Sequence, residues 1–405
     1  MAAFTTVQDL RGRSYEFVPD GVYFDLPEQL YFAQDALGSS DLVRLWKHKH
    51  GWWWSSRWNP DFAEKPAGRE RIYGRGCHAI VLEGVPTYER KFAVMPEKPA
   101  VGLYTIGDVK ARLSAEGFSL AGTSSWSAGD WFAAARDNLP LVPCWPNMMA
   151  DFEAEELAIA GPGGELRQAL TPVEDRMLRV MHRAAMEDPG IAKLFGTESG
   201  FPPLAEVSVL RTDATGIRRR WRFDRLFPQF TLDLKTLGNW EGRPLKFAVG
   251  DHIGRGGYDI QRADYDVGRG ALYDFVRDGF QVDGGTVEQR HFLKLMVEAG
   301  GNWDWVWMFY QKPELSGRAP VIFPVYDDND SDLKKYGRAK ATNAVAFYRQ
   351  AVEKFGLLEP WTHVEELHYT SPAAYPNISF PHWIEEDEPP EDPAAYELEE
   401  AARYG

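Results

Sequence analysis

Two cysteines, Cys77 and Cys144, are all that 405 residues contain. A thiolate-held zinc or a four-cysteine iron–sulfur cluster cannot be built from them. One disulfide is chemically open, but a reducing compartment keeps such thiols apart. A Gly-x-x-x-x-Gly-Lys-Ser/Thr loop is also missing. That removes the usual P-loop machinery for ATP. The sequence has no uninterrupted apolar run long enough to cross a bilayer. Residues 1–9 carry an acid and no apolar core segment, so neither a signal peptide nor a membrane partner is expected. The expected compartment is cytoplasmic. No internal repeat is visible.

What is present is ordinary for a folded protein: 44% hydrophobic and 26% charged residues. The length suits one large domain or two smaller ones. The net charge of −15 is set largely by one stretch. Residues 385–400 hold nine acids and no bases, which leaves −6 for the rest. Such a segment cannot bury enough apolar surface to fold, so 385–405 is expected to be a disordered acidic tail. Bases gather elsewhere, at Arg218, Arg219, Arg220, Arg222 and Arg225. They read either as a patch that steers a polyanion or as an arginine-rich strand face.

Periodicity and capping give a coarse map. Ser39-Ser40-Asp41 signals a helix start before Leu42, and Thr171-Pro172-Val173-Glu174 signals another. A helix entered through glycines is expected over 74–83, and longer ones over 259–280 and 327–355. Strands are expected at 205–211, 217–224, 230–236, 302–310 and 320–326. Residues 238–257, rich in glycine and bases, read as a mobile loop, and 161–164 as a linker. Trp52, Trp53, Trp54 and Trp58 read as a packed core rather than as a stacking platform. Strands clustered between helices imply an α/β fold with a mixed central β-sheet flanked by helices.

The chemistry centres on Asp233-Leu234-Lys235, inside the strand-like run 230–236. Residues i and i+2 share a strand face, so a carboxylate and an ammonium project together. A turn marked by Pro228 would fold Asp224 back beside Asp233 as a hairpin. Phosphodiesters resist attack because their charge repels nucleophiles. Carboxylates holding a hard divalent ion, beside a lysine, are suited to overcoming that. Glu206, on a preceding strand, could support a ligand or a second ion. His78 could complete the set through an imidazole nitrogen, which suits Mn2+ as well as Mg2+.

The order Gly74-x-x-x-His78, Glu206, Asp224, Asp233-x-Lys235 and Gln261-x-x-x-Tyr265 resembles the RecB-type branch of the PD-(D/E)xK nuclease superfamily. Within it, the chain looks most like the RecE-like phage exonucleases. The resemblance spans roughly 23–355 with a poorly matched middle. It implies a restriction-endonuclease-like core, with His78, Asp224, Asp233 and the Leu234 carbonyl as metal ligands. It further implies Lys235 as the catalytic lysine, Glu206 as an acidic site residue, and Gln261 and Tyr265 contacting the scissile strand or positioning the site. The expected activity is ATP-independent exonuclease action on duplex DNA ends in recombination or phage DNA metabolism, with Mg2+ or Mn2+.

The expected layout has four parts. Residues 1–90 form the first part of the nuclease domain, 91–165 an insertion, 166–384 the core, and 385–405 the tail. Inside the insertion, 104–138 faintly resembles a SAP-type helix–extended–helix DNA-binding unit, but Thr123-Ser124-Ser125 stands where that pattern has lysine. DNA is the expected partner. A homo-oligomer and a single-strand annealing protein are left open. So are two alternatives: a structure-specific endonuclease or nickase on the same core, and a non-catalytic DNA-binding protein.

Overall fold

A computed structural model describes residues 4–62, 68–161, 164–195, 202–239, 242–280, 282–311 and 321–362. The chain divides into two units, Met1–Trp361 and Thr362–Gly405. Every element below belongs to the first unit; the acidic tail lies outside the described residues.

The chain opens with an antiparallel pair, β1 (Thr5–Gln8) and β2 (Ser14–Phe17), then β3 (Gly21–Tyr23). Helices α1 (Glu28–Ala33), α2 (Ser39–His48), α3 (Gly51–Trp54) and α4 (Arg69–His78) follow. Helix α4 widens into a π-helical turn over Ala79–Glu83 before α5 (Val85–Lys91) and β4 (Phe92–Val94). Next come α6 (Ile106–Ala115), α7 (Ala128–Asn138), α8 (Trp145–Ala160), β5 (Gln168–Leu170), α9 (Pro172–Glu187) and α10 (Pro189–Leu194). The meander β6 (Leu204–Thr212), β7 (Arg218–Leu226) and β8 (Phe230–Leu237) leads to α11 (Leu245–Gly256) and α12 (Tyr258–Arg277). The last elements are β9 (Val282–Asp283), α13 (Val287–Ala299), β10 (Asp304–Gln311), β11 (Val321–Asp327) and α14 (Asp332–Phe355).

Seven strands form one mixed sheet in the order β11-β10-β8-β7-β6-β3-β9. Strands β6, β7 and β8 run antiparallel, while β10 lies parallel to β8. That parallel pair needs a long crossover, which α11, α12 and α13 supply. Strand β10 explains why: its sequence, Asp-Trp-Val-Trp-Met-Phe-Tyr-Gln, is apolar on both faces. Met308 and Tyr310 pack with Leu232 and Leu234 against Cys77, Ile80, Leu178 and Met181 of the α4–α9 layer. Trp305, Trp307 and Phe309 turn the other way, toward Ala248 and Val249 of α11. The architecture is the expected α/β one, a mixed central sheet flanked by helices, consistent with a restriction-endonuclease-like core.

Three local expectations are corrected. The stretch read as a mobile loop over 238–257 contains α11. Leu245, Ala248, Val249 and Ile253 repeat at helical spacing and bury against β10, and the intervening glycines hide that pattern. The helix expected to begin at Gly74 begins five residues earlier, at Arg69. The long helix expected from 327 begins at Asp332, where the Ser331 side chain accepts from the Lys334 N–H. Thr171 caps α9 as expected, accepting from the Glu174 N–H.

The basic run on β7 is used internally. Arg219 pairs with buried Asp264, and Arg218 with Asp20. Arg220 donates to the carbonyls of Tyr31, Phe32 and Gln34, and Arg222 to that of Leu26. Arg225 is buried, and burial lowers its pKa to about 10. These guanidiniums bind the sheet to its surroundings; they are not a free polyanion-steering patch.

Trp52, Trp53 and Trp58 are core residues that share a cluster with Trp361. Strands β4 and β5 pair in parallel, and the chain between them leaves and rejoins at that ribbon. It carries its own small core of Val109, Leu113, Trp131 and Ala135. Cys144 belongs to that core and Cys77 to the α4–α9 layer; both are buried, and no disulfide joins them.

Candidate metal site where β7 and β8 part

Strands β7 and β8 are paired only at Arg225↔Leu232 and Leu226↔Thr231. Beyond those pairs the main-chain ladder stops, and side chains take over its role. Asp224 Oδ2 accepts the Leu234 N–H at 2.7 Å. From the same residue, the Leu234 carbonyl lies 3.2 Å from His78 Nε2. His78 is the last residue of α4, immediately before the π-helical turn, a distortion that recurs at functional sites. Its Nδ1 lies 3.7 Å from Asp224 Oδ2.

Glu206 completes this group from β6. Its backbone is left-handed, with φ at 53°. A glutamate inside a strand adopts that conformation at a cost of about 1–3 kcal/mol. The register of β6 on β7 skips the position: Ala205 pairs with Arg225 and Val207 with Phe223, but Glu206 and Asp224 form no ladder pair. His78, Glu206 and Asp224 each offer a ligand atom, and these atoms lie within 4.8 Å of one another. Burial first, then the facing Asp224 carboxylate, pushes the Glu206 carboxyl up to about 7. His78 and Arg222 pull it down, but not enough to offset burial and the neighbouring acid. The donor set, two carboxylates and an imidazole beside a backbone carbonyl, fits a hard divalent cation.

Asp233 and Lys235 form the adjoining half. Lys235 Nζ sits 2.6 Å from Asp233 Oδ2, as alternation along one strand face requires. Asp233 is 3% exposed. Burial, with a smaller contribution from Asp224, raises its carboxyl to about 6 although Lys235 pulls it down. Burial pulls the Lys235 ammonium down, but Asp233, Tyr258 and Asp224 together outweigh it and the pKa is raised. Asp233 does not belong to the His78–Glu206–Asp224 group; the Leu234 backbone, through its N–H and its carbonyl, joins the two halves.

Helix α12 supports both halves. Gln261 Nε2 donates to Asp233 Oδ1 at 3.1 Å. The Tyr265 hydroxyl donates to the Arg222 carbonyl at 2.9 Å, two residues before Asp224, and its ring meets Phe223 and Trp305 edge-on. Both residues hold parts of the site in place.

Sequence reasoning missed Tyr258, whose ring centroid lies 4.9 Å from Lys235 Nζ. The signal was the Gly256-Gly257 pair before it. Gly257 is left-handed, with φ at 66°, and a Cβ on Gly256 would come within 2.5 Å of the Tyr258 ring. Nothing in the sequence marks the left-handed backbone at Glu206.

The donor group opens onto a cleft of about 2960 Å³, lined by His78, Glu206, Asp224 and Tyr265 among others. Among the described residues, no helix is long and apolar enough to cross a membrane.

No protein-family model and no curated protein matches the chain. A solved structure from Eubacterium rectale, named "Putative exonuclease", aligns with 88% of this chain and 100% of its own at 13% identity and a TM-score of 0.34, too distant a likeness to carry fold or function across.

Proposed function

We propose that this chain is a metal-dependent DNA nuclease of the RecE-like, PD-(D/E)xK kind, acting as an ATP-independent exonuclease on duplex ends. One observation carries the reading. His78, Glu206 and Asp224 converge within 4.8 Å, and the Leu234 backbone ties them to a buried Asp233–Lys235 pair. Ionisable groups shifted by burial and by specific charged neighbours, and facing a cleft, mark a candidate functional site.

His78, Glu206 and Asp224 would hold Mg2+ or Mn2+, with Asp233 and the Leu234 carbonyl beside them. The ion supplies charge neutralisation at the phosphate and a more acidic bound water. The chain's own residues do the rest. Lys235 keeps an ammonium beside the phosphate, where negative charge grows as the bond breaks. Gln261 fixes the Asp233 carboxylate, and Tyr265 anchors β7 so that Asp224 keeps its aim.

The test is parallel digestion of linear and covalently closed duplex DNA with Mg2+, with Mn2+ and with chelator. The exonuclease reading expects loss of the linear form alone, in either metal and not in chelator. Efficient cutting of closed circles would favour the endonuclease alternative. No cutting under any condition would leave a non-catalytic DNA-binding protein.

A further inference from the structure

Helix α1 stands beside the site and carries a ring with no place in the core. Phe32 is 54% exposed and lines the same cleft as His78, Glu206 and Asp224. Short contacts connect it to them. Phe32 meets Tyr31 edge-on, with centroids 5.1 Å apart. The Arg222 guanidinium lies 4.2 Å from the Tyr31 centroid, and its Nε is 4.0 Å from Glu206 Oε2. The helix is also held firmly. Arg220 donates to the Phe32 carbonyl at 3.1 Å, and Arg75, three residues before His78, pairs with Glu28 at 2.8 Å. These bonds fix the α1 backbone that carries the exposed ring. Trp54 and Phe62, 49% and 42% exposed, line the cleft as well.

We infer that the cleft takes an unpaired stretch of DNA, with a base of that strand stacked on Phe32 next to the metal-binding group. This rests on the nuclease reading and specifies the form of its substrate. In a duplex both faces of each interior base are already stacked, so a protein ring of this kind meets only bases that have left the stack. A cation accompanies the rings: Arg349 is exposed and lines the cleft, while Arg220, 5.5 Å from the Phe32 centroid, keeps its bonds to the α1 carbonyls. Aromatic faces alternating with cations are how single strands are held without sequence preference. A frayed duplex end or a single-stranded overhang presents this chemistry.

The test uses the full chain in chelator, so that no strand is cut. Binding of a fluorescent 12-nucleotide single strand is compared with that of an otherwise identical abasic strand. Phe32→Ala should weaken binding of the normal strand about tenfold and leave the abasic strand unaffected. Phe32→Trp should restore it; Phe32→Leu, apolar but without a π-face, should not. Equal affinity for normal and abasic strands, or wild-type binding by Phe32→Leu, overturns the inference. Duplex-end cleavage by the wild type in Mg2+ and Mn2+ is measured alongside. An active enzyme with base-independent binding sinks this inference alone. An inactive one sinks the nuclease reading, while the base dependence of strand binding is still read directly.

Discussion

The Leu234 N–H donates to Asp224 Oδ2 at 2.7 Å, so the carboxylate that faces His78 also ties β7 to β8 beyond the end of their ladder. Asp224 therefore has two tasks, one structural and one chemical. Asp224→Asn can still accept that bond through its amide oxygen but loses the charge. It should fold, with a melting temperature within a few degrees of wild type, and should lose metal binding. Calorimetric titration with Mn2+ beside a thermal melt checks both. Unchanged Mn2+ affinity would remove Asp224 from the donor set.

Asp233 and Lys235 neutralise each other inside the protein. Removing one partner alone leaves a buried charge, a loss of about 3–5 kcal/mol. The double variant Asp233→Asn with Lys235→Met should therefore be more stable than either single change. All three should lower the rate of DNA cleavage by at least about a hundredfold. Denaturant unfolding and single-turnover cleavage test the two halves of this prediction. Wild-type cleavage by Asp233→Asn would separate the pair from the chemistry.

Burial and Asp224 raise the Glu206 carboxyl from 4.5 to about 7, so the folded protein holds that proton more tightly than the unfolded chain does. The resulting stabilisation is complete below about pH 4.5 and is lost as pH rises through about 7. Asp233, raised from 3.8 to about 6, acts in the same direction over a lower window. Glu206→Gln, which cannot ionise, should be more stable than wild type at pH 8 in chelator, by on the order of 2 kcal/mol. The gap should close toward pH 4.5. Denaturant unfolding at both pH values measures it, and a pH-independent gap contradicts the assignment. Added Mg2+ should stabilise the wild type at pH 8 more than the variant.

The Tyr258 ring faces the Lys235 ammonium at 4.9 Å, a contact worth about 1–2 kcal/mol in a desolvated site. Tyr258→Phe keeps the ring and should cut DNA at close to the wild-type rate. Tyr258→Leu should lower kcat about tenfold with little change in KM. Equal kcat for the two variants would leave the ring a packing role only.

Much of this arrangement can be read in the sequence, for physical reasons that differ from residue to residue. Asp233 and Lys235 meet because strand alternation is local. Asp224 is brought near by a turn at Pro228, and β8 and β10 are legible as apolar runs. The rest depends on tertiary context. Nothing near Glu206 marks its left-handed backbone, which only the neighbouring strands and His78 make sense of. The β7 arginines have the composition of a nucleic-acid patch, yet their hydrogen bonds and ion pairs are internal. Helix α11 is hidden because three glycines dilute its apolar stripe, and only β10 supplies the surface that stabilises it.

The most direct measurement is cleavage of end-labelled linear duplex by the wild type and by Asp224→Asn, each with Mg2+, with Mn2+ and with chelator. Progressive release of label by the wild type in metal alone, and none by the variant, is the predicted result. Release that persists in chelator, or at the wild-type rate in Asp224→Asn, would contradict a metal-centred nuclease at this site.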